Sequence, residues 1–368
     1  MKELPIALID KLPIWFIELL KNNEIFCSPG SYNTNGIGVI DVLMKNPPGT
    51  KWNFIVDNQI LSYVDAALHG IHDKNNMLAL TAIYVALNNG NLIADYGIWE
   101  QCSGIINVNN IYMAQRSIAS LEIIKSNIET IPVLLSNYFE GKNISCNTKQ
   151  LANKVEKYDY KNMNVMDSGR MLSGDITLLG DLNVLIAILY ADILSKLVLS
   201  SKKRGNNLLL SFIESCEKQM IPFNTRAIYY GSAVCTGYLS STIKRRGIVV
   251  TDALNSLPTY TSFKDILNIA FDLAVCIRFD ELKKDSPFTA VLSFDKKLRK
   301  VLHLGYQDTN GMVTNEFNYQ KSVDPSLNAK ILDLKYKSMK NIYTTDGLWD
   351  KVANISDDYL WYDADKFA

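Results

Sequence analysis

Lys51–Gly70, KWNFIVDNQILSYVDAALHG, is the stretch on which the reading of this chain turns. Phe54-Ile55-Val56 is a short run of large apolar residues of the kind that forms a buried strand, and it ends on an acid, Asp57. Directly after it, Ile60, Leu61, Val64 and Leu68 recur at helical spacing, which predicts a helix over 58–70. A carboxylate at the end of a buried strand is costly unless something there uses it.

The same grammar returns near residue 290. AVLSFDKKLRKVL, Ala290–Leu302, is again a strand, an acid (Asp295) and a helix. Helices are predicted over 8–21, 58–70, 75–89, 111–127, 180–200, 206–219, 225–243, 264–282, 296–303 and 326–341, and strands over 52–56, 247–250 and 288–294. Short apolar strands that feed straight into helices imply an α/β fold with a parallel sheet flanked by helices. Gly141–Asp175 is polar and weakly periodic and reads as a connection or insertion, and the tail after Leu304 lacks a long core pattern.

In an open α/β sheet, residues at the carboxyl ends of neighbouring strands share one crevice. Asp57 and Asp295 would meet there, and two like charges in a low dielectric need a cation or a shifted pKa. Three further acids stand among apolar residues: Glu100 in LIADYGIWEQ, Asp181 before LNVLIAILYADIL, and Asp265 in FKDILNIAFDLAV. Asp181 and Asp265 also read as ordinary N-terminal helix acids, and Glu100 as a surface residue. An all-oxygen cluster of this kind suits Mg²⁺ or Mn²⁺.

Composition narrows the classes. The 368 residues suffice for one large domain or two ordinary ones, and 48% hydrophobic with 21% charged residues is a globular balance. Lys plus Arg equals Asp plus Glu at 38 each, so any nucleic-acid binding must come from local patches. The six cysteines are scattered with no CxxC pair, which argues for reduced core thiols. Charges and prolines interrupt the first twenty residues, and Asp192 with Lys196 interrupts the longest apolar run, so no signal peptide or membrane span is expected and the cytoplasm is the expected compartment. His69 and His72 form an HxxH without a third ligand, which reads as a solvated helix end rather than a zinc site. NTNGIGVI lacks the third glycine of a dinucleotide loop, and no GxSxG elbow occurs.

FIVDNQILSYV and AVLSFDKKLRKVL resemble the opening and the later strand of PIN-like nuclease domains. The resemblance implies a Rossmann-like, PIN-like parallel sheet flanked by helices, with acids that bind Mg²⁺ or Mn²⁺ and cleave RNA, less often DNA. Carried over by residue, Asp57 matches the first acid, Glu100 the second and Asp295 the last, with Asp265 or Asp181 as the third. Ser293 matches the hydroxyl two before the last acid, whereas Asn58 and Gln59 stand where a threonine is usual. On this reading the domains are 1–50, an N-terminal helical extension; 51–305, the PIN-like α/β domain with a long helical insertion at about 105–260; and 306–368, a C-terminal extension.

The implied reaction is metal-dependent hydrolysis of a phosphodiester. SSKKRG (200–205), KRRG (244–247) and KKLRK (296–300) would hold the nucleic-acid backbone, and Tyr229, Tyr230 and Tyr238 could stack on bases or simply fill the core. The Asn, Lys and Ile content suggests an AT-rich genome and, by analogy, a toxin or defence nuclease. A homo-oligomer is left open. Two other classes compete: a non-catalytic helical protein that binds a partner, and a phosphohydrolase acting on a small nucleotide.

Overall fold

A computed structural model describes residues 14–22, 25–28, 38–45, 50–102, 108–158, 182–200, 205–236, 263–303 and 325–358. These form a mostly helical chain with one small open mixed sheet, so an α/β description holds in this coarse form. The chain gathers into two compact units, one of Met1–Asp175 with Glu281–Lys296, the other of Ile176–Asp280 with Lys297–Ala368.

The first unit holds the sheet. In chain order its elements are α1 (Ile14–Asn22), β1 (Phe26–Cys27), α2 (Val39–Lys45), β2 (Trp52–Val56), α3 (Asn58–Leu68), α4 (Lys74–Asn89), β3 (Gly90–Ile93), α5 (Asp95–Cys102), α6 (Val108–Ser126), α7 (Ile131–Phe139) and α8 (Ser145–Glu156). Strand order is β1-β4-β2-β3, where β4 is Thr289–Leu292. β2 pairs in parallel with β4 on one side and β3 on the other, and β1 joins β4 antiparallel.

β2 is central because it is apolar on both faces: Trp52, Phe54, Ile55 and Val56 are all buried. Trp52 stacks on Phe54, and Phe288 tilts against Trp52, so aromatic packing fixes the start of the strand pair. α4 is apolar nearly all round, with Met77–Leu80 and Ala82–Ala86 buried, which makes it a core helix of this unit and not a surface one. Asp73 starts it by accepting a hydrogen bond from the Asn76 amide at 2.9 Å.

β1 and β3 were not expected from the sequence. β1 has only two residues, and β3 is the half-exposed edge Gly-Asn-Leu-Ile, poor in strand-forming residues. Gly90 is nonetheless required there: a Cβ on it would lie 1.9 Å from the Trp52 carbonyl oxygen. The expected strand over 247–250 lies outside the described residues. The stretch read as a connection contains α8, whose Thr148, Leu151 and Val155 are buried at i, i+3, i+7. Its polar outer face hid that pattern.

The second unit is helical: α9 (Leu182–Ser200), α10 (Asn206–Lys218), α11 (Thr225–Thr236), α12 (Phe263–Asp285, whose last residues enter the first unit), α13 (Lys296–His303), α14 (Pro325–Met339) and α15 (Thr345–Asp358). α9 is buried continuously from Val184 to Leu194. The tail, read as lacking a long core pattern apart from the helix expected over 326–341, buries Leu327, Ile331 and Leu334 of α14 and Leu348, Val352 and Ile355 of α15. Buried Arg226 forks onto Asp280 at 2.7 and 2.8 Å and also donates to the Val301 and Leu302 carbonyls, which satisfies the C-terminal turn of α13. Among the described cysteines, Cys27, Cys216, Cys235 and Cys276 are buried free thiols, while Cys146 is exposed, against the expectation of core thiols throughout. No helix among the described residues is long and apolar enough to cross a membrane.

Candidate acid site

Register brings the site together. Val56 of β2 faces Leu292 of β4, and the Asp57 amide continues the ladder by donating to the Leu292 carbonyl at 3.0 Å. The next residues, Asp57 and Ser293, therefore lie side by side, and the Ser293 hydroxyl donates to Asp57 Oδ2 at 2.5 Å. The same hydroxyl oxygen accepts from the Asp295 amide at 2.9 Å. One serine thus orients both the acid that ends β2 and the turn that carries the acid after β4.

Asp57 occupies the N-cap position of α3 with extended backbone (φ −74°, ψ 148°), yet its carboxylate makes no capping hydrogen bond. The Asn58 and Gln59 amides face it and favour its charged form without closing a cap.

Glu100 arrives from α5. That helix lies tight on the end of β2: a Cβ on Gly97 would come within 2.7 Å of the Val56 carbonyl oxygen and 2.9 Å of the Asn58 amide nitrogen. Only glycine permits this approach, and Glu100 stands three residues further along the same helix. Its carboxyl takes a hydrogen bond from the Asn58 side chain and feels the charges of both Asp57 and Asp295.

The electrostatics follow from this crowding. Burial pushes the Asp57 carboxyl from 3.8 up to about 6, with the Ser293 hydrogen bond opposing and the neighbouring Asp295 charge adding to the rise. Burial together with the Asp57 and Asp295 charges pushes Glu100 from 4.5 up to about 8. Three carboxylates from three separate elements thus act on one another at the carboxyl ends of β2 and β4. Among the described residues no group of three or more His, Cys, Asp and Glu side chains is set to hold a metal ion.

Two amides, Asn58 and Gln101, were not among the expected site residues. Asn58 Oδ1 and Gln101 Oε1 are buried and accept no hydrogen bond from the described residues. Gln101 Nε2 reaches Ser62 Oγ at 3.4 Å, which ties α5 to α3, and Ser62 donates to the Asn58 backbone carbonyl at 3.2 Å. The available signal was that an amide directly follows each acid, Asp57-Asn58 and Glu100-Gln101.

The other expected residues fall elsewhere. Asp181 lies outside the described residues, as does the side chain of Asp265 on α12, so neither is placed relative to this cluster. Of the basic runs, 244–247 and 201–204 lie outside the described residues; Lys296 is exposed, and Arg299 is buried rather than open to a phosphate. Tyr229 and Tyr230 are buried in the second unit, which is the core role rather than base stacking, and Tyr238 lies outside the described residues. His69 and His72 diverge: His69 Nε2 meets Glu156 at 3.2 Å, while His72 Nε2 meets Thr148 Oγ1 at 3.1 Å.

Compared with known protein families, with curated proteins and with solved structures, the chain matches none.

Proposed function

We propose that the first unit is a metal-dependent phosphodiester hydrolase of PIN-like type, a nuclease acting on RNA. The observation that carries this reading is the convergence of Asp57, Glu100 and Asp295 at the carboxyl ends of two parallel strands, with Asp57 and Glu100 both raised by burial and mutual repulsion. A fold seldom keeps buried like charges together unless a ligand compensates them, and perturbed carboxyls in a crevice mark functional sites.

The donors suit Mg²⁺ or Mn²⁺ in kind, being carboxylate oxygens with an unpaired buried amide oxygen, Asn58 Oδ1, beside them. Asp57, Asp295 and Glu100 would have to draw closer than they stand to hold the ion. When bound, it would lower the pKa of a water and offset charge on the phosphoryl oxygens. The chain's own contributions are positional. Ser293 fixes the rotamer of Asp57, and Gly97 lets α5 bring Glu100 against the strand end. Lys296, exposed and next to Asp295 in sequence, can contact a backbone phosphate.

The test combines binding and cleavage. Mn²⁺ is expected to raise the melting temperature of the wild type and to support cleavage of a labelled single-stranded RNA that EDTA abolishes. Asp57→Asn should melt at or above the wild type without metal, and should lose both the Mn²⁺ response and cleavage. A melting temperature that Mn²⁺ does not move, with cleavage absent or unaffected by the substitution, would overturn the reading and favour a partner-binding module.

A further inference from the structure

The two imidazoles of the HxxH pair, at the end of α3 and in the turn that follows it, reach the same helix, α8. His69 Nε2 lies 3.2 Å from Glu156 Oε1, at the last residue of α8, and His72 Nε2 lies 3.1 Å from Thr148 Oγ1, in its first turn. Between these two points α8 is docked only by one narrow buried face, Thr148, Leu151 and Val155. One histidine thus serves each end of the helix, and the two ask for different protonation states.

His69 Nδ1 lies 2.8 Å from the Asp65 backbone carbonyl oxygen and 3.2 Å from Asp65 Oδ1. Both are acceptors, so Nδ1 carries a hydrogen. Nε2 faces the Glu156 carboxylate, again an acceptor, and only the imidazolium has a hydrogen on each nitrogen. The surrounding charges agree. Asp65 and Glu156 are two acids, and Arg116 of α6, bonded to Asp65, is one permanent cation. Tyr112 of α6 gives Glu156 a neutral hydrogen bond, Lys154 of α8 is taken up by Asn127, and Lys157 is exposed. A charged His69 supplies the second cation. At the other end, the Thr148 hydroxyl has the Ile144 and Ser145 carbonyls to donate to, at 3.3 and 3.2 Å, so it accepts from His72 Nε2. A neutral imidazole makes that bond, and burial pushes His72 below the ordinary histidine range toward the neutral form.

We infer that His69 is a proton-operated latch on the C-terminal end of α8: charged, it bridges Asp65 of α3 and Glu156 of α8, and on losing its proton it lets that end go while His72 keeps the other end in place. Without the proton, a nitrogen lone pair faces the Glu156 carboxylate and the bridge becomes repulsive. Histidine is the side chain whose charge changes between pH 5 and pH 8, so the latch is closed at the acid end of that range and lost as pH rises. It stands apart from the acid site and does not depend on what that site binds.

The experiment follows amide hydrogen exchange along α8 of the full chain at pH 5 and pH 8, corrected for intrinsic rates, in wild type, Glu156→Gln and His69→Gln. Protection of the last turn of α8 in the wild type should fall about two- to fivefold at pH 8 relative to the first turn, the size of a half-exposed ion pair. In Glu156→Gln the amide can accept from the charged ring or donate to the neutral one, so the helix should stay docked and the pH difference should vanish. His69→Gln, which does not titrate, should also respond equally at both pH values. Equal wild-type protection at pH 5 and pH 8 would overturn the inference, as would a pH difference that survives either substitution. A loss shared equally by the first and last turns would overturn it too, because that is how a whole unit weakened through Asp57 and Glu100 behaves.

Discussion

Helix α3 begins at one buried aspartate and carries another two turns on, and their surroundings are opposite. Asp65 is 4% exposed and fully answered: Arg116 Nη2 meets Oδ2 at 2.7 Å, Ser120 donates to Oδ1 at 3.1 Å, and His69 Nδ1 lies 3.2 Å from Oδ1. Arg116 also lies over the Tyr112 ring, and Tyr112 donates to Glu156, so α3, α6 and α8 are tied through two acids, Asp65 and Glu156. Asp57 is 6% exposed, but its nearest charged company is two more carboxylates and its direct side-chain support is one serine. The second unit repeats the compensated pattern at Arg226 and Asp280. The same chain thus answers Asp65 with a cation, whereas at the carboxyl ends of the parallel strands Asp57 lies beside other acids.

The contrast can be broken from either side. Arg226 is 2% exposed, and Arg226→Met would remove its ion pair with Asp280, itself 24% exposed, and its bonds to two carbonyls; it should cost toward the low end of the about 3–5 kcal/mol seen for broken buried pairs, read by chemical denaturation. Arg116→Met should cost about 3 kcal/mol, the low end of that range, because a fifth of the Arg116 side chain remains in water. A cost under half of this in either case would mean that these pairs are not what compensates the buried acids.

At the clustered acids the sign reverses. Asp57 and Glu100 hold protons more tightly folded than unfolded, so their contribution to stability is full below their ordinary values of 3.8 and 4.5. It is lost as pH rises through about 6 and about 8. The metal-free protein should therefore lose stability between pH 5 and pH 8. Glu100→Gln should raise stability at pH 8 by about 2 kcal/mol and flatten that slope. A pH profile unchanged by the substitution would show that Glu100 does not titrate in this range. The smallest effect belongs to Ser293→Ala: about 1 kcal/mol lost at pH 8, and less at pH 5, where Asp57 is mostly protonated. An equal loss at both pH values would mean that Ser293 acts by packing and not by supporting the Asp57 charge.

Much of the site's raw material could be read from local pattern. β2 and β4 announce themselves because strands buried on both faces are continuous apolar runs, and an acid at the end of such a run is conspicuous. Glu100 was visible only as an acid in apolar surroundings, since its use depends on Gly97 letting α5 touch the strand end. β1 and β3 were illegible because an edge strand of two or four residues needs little strand propensity once a neighbour supplies the hydrogen bonds. The partners of Asp65 were equally hidden. Arg116 is 51 positions away, and nothing in Asp65's own neighbourhood marks it as answered where Asp57 is not.

The sequence by itself determined the strand–acid–helix units, the buried helices and the absence of a net charge that would draw the whole molecule to nucleic acid. Those depend on side-chain periodicity and composition, which are local or additive. Only the tertiary structure decided that β2 and β4 are parallel neighbours, so that Ser293 reaches Asp57 across 236 positions of chain. It also decided which buried acids gain a cation and which are left to repel one another. Pairing, register and desolvation arise between elements, and no stretch of sequence carries them alone.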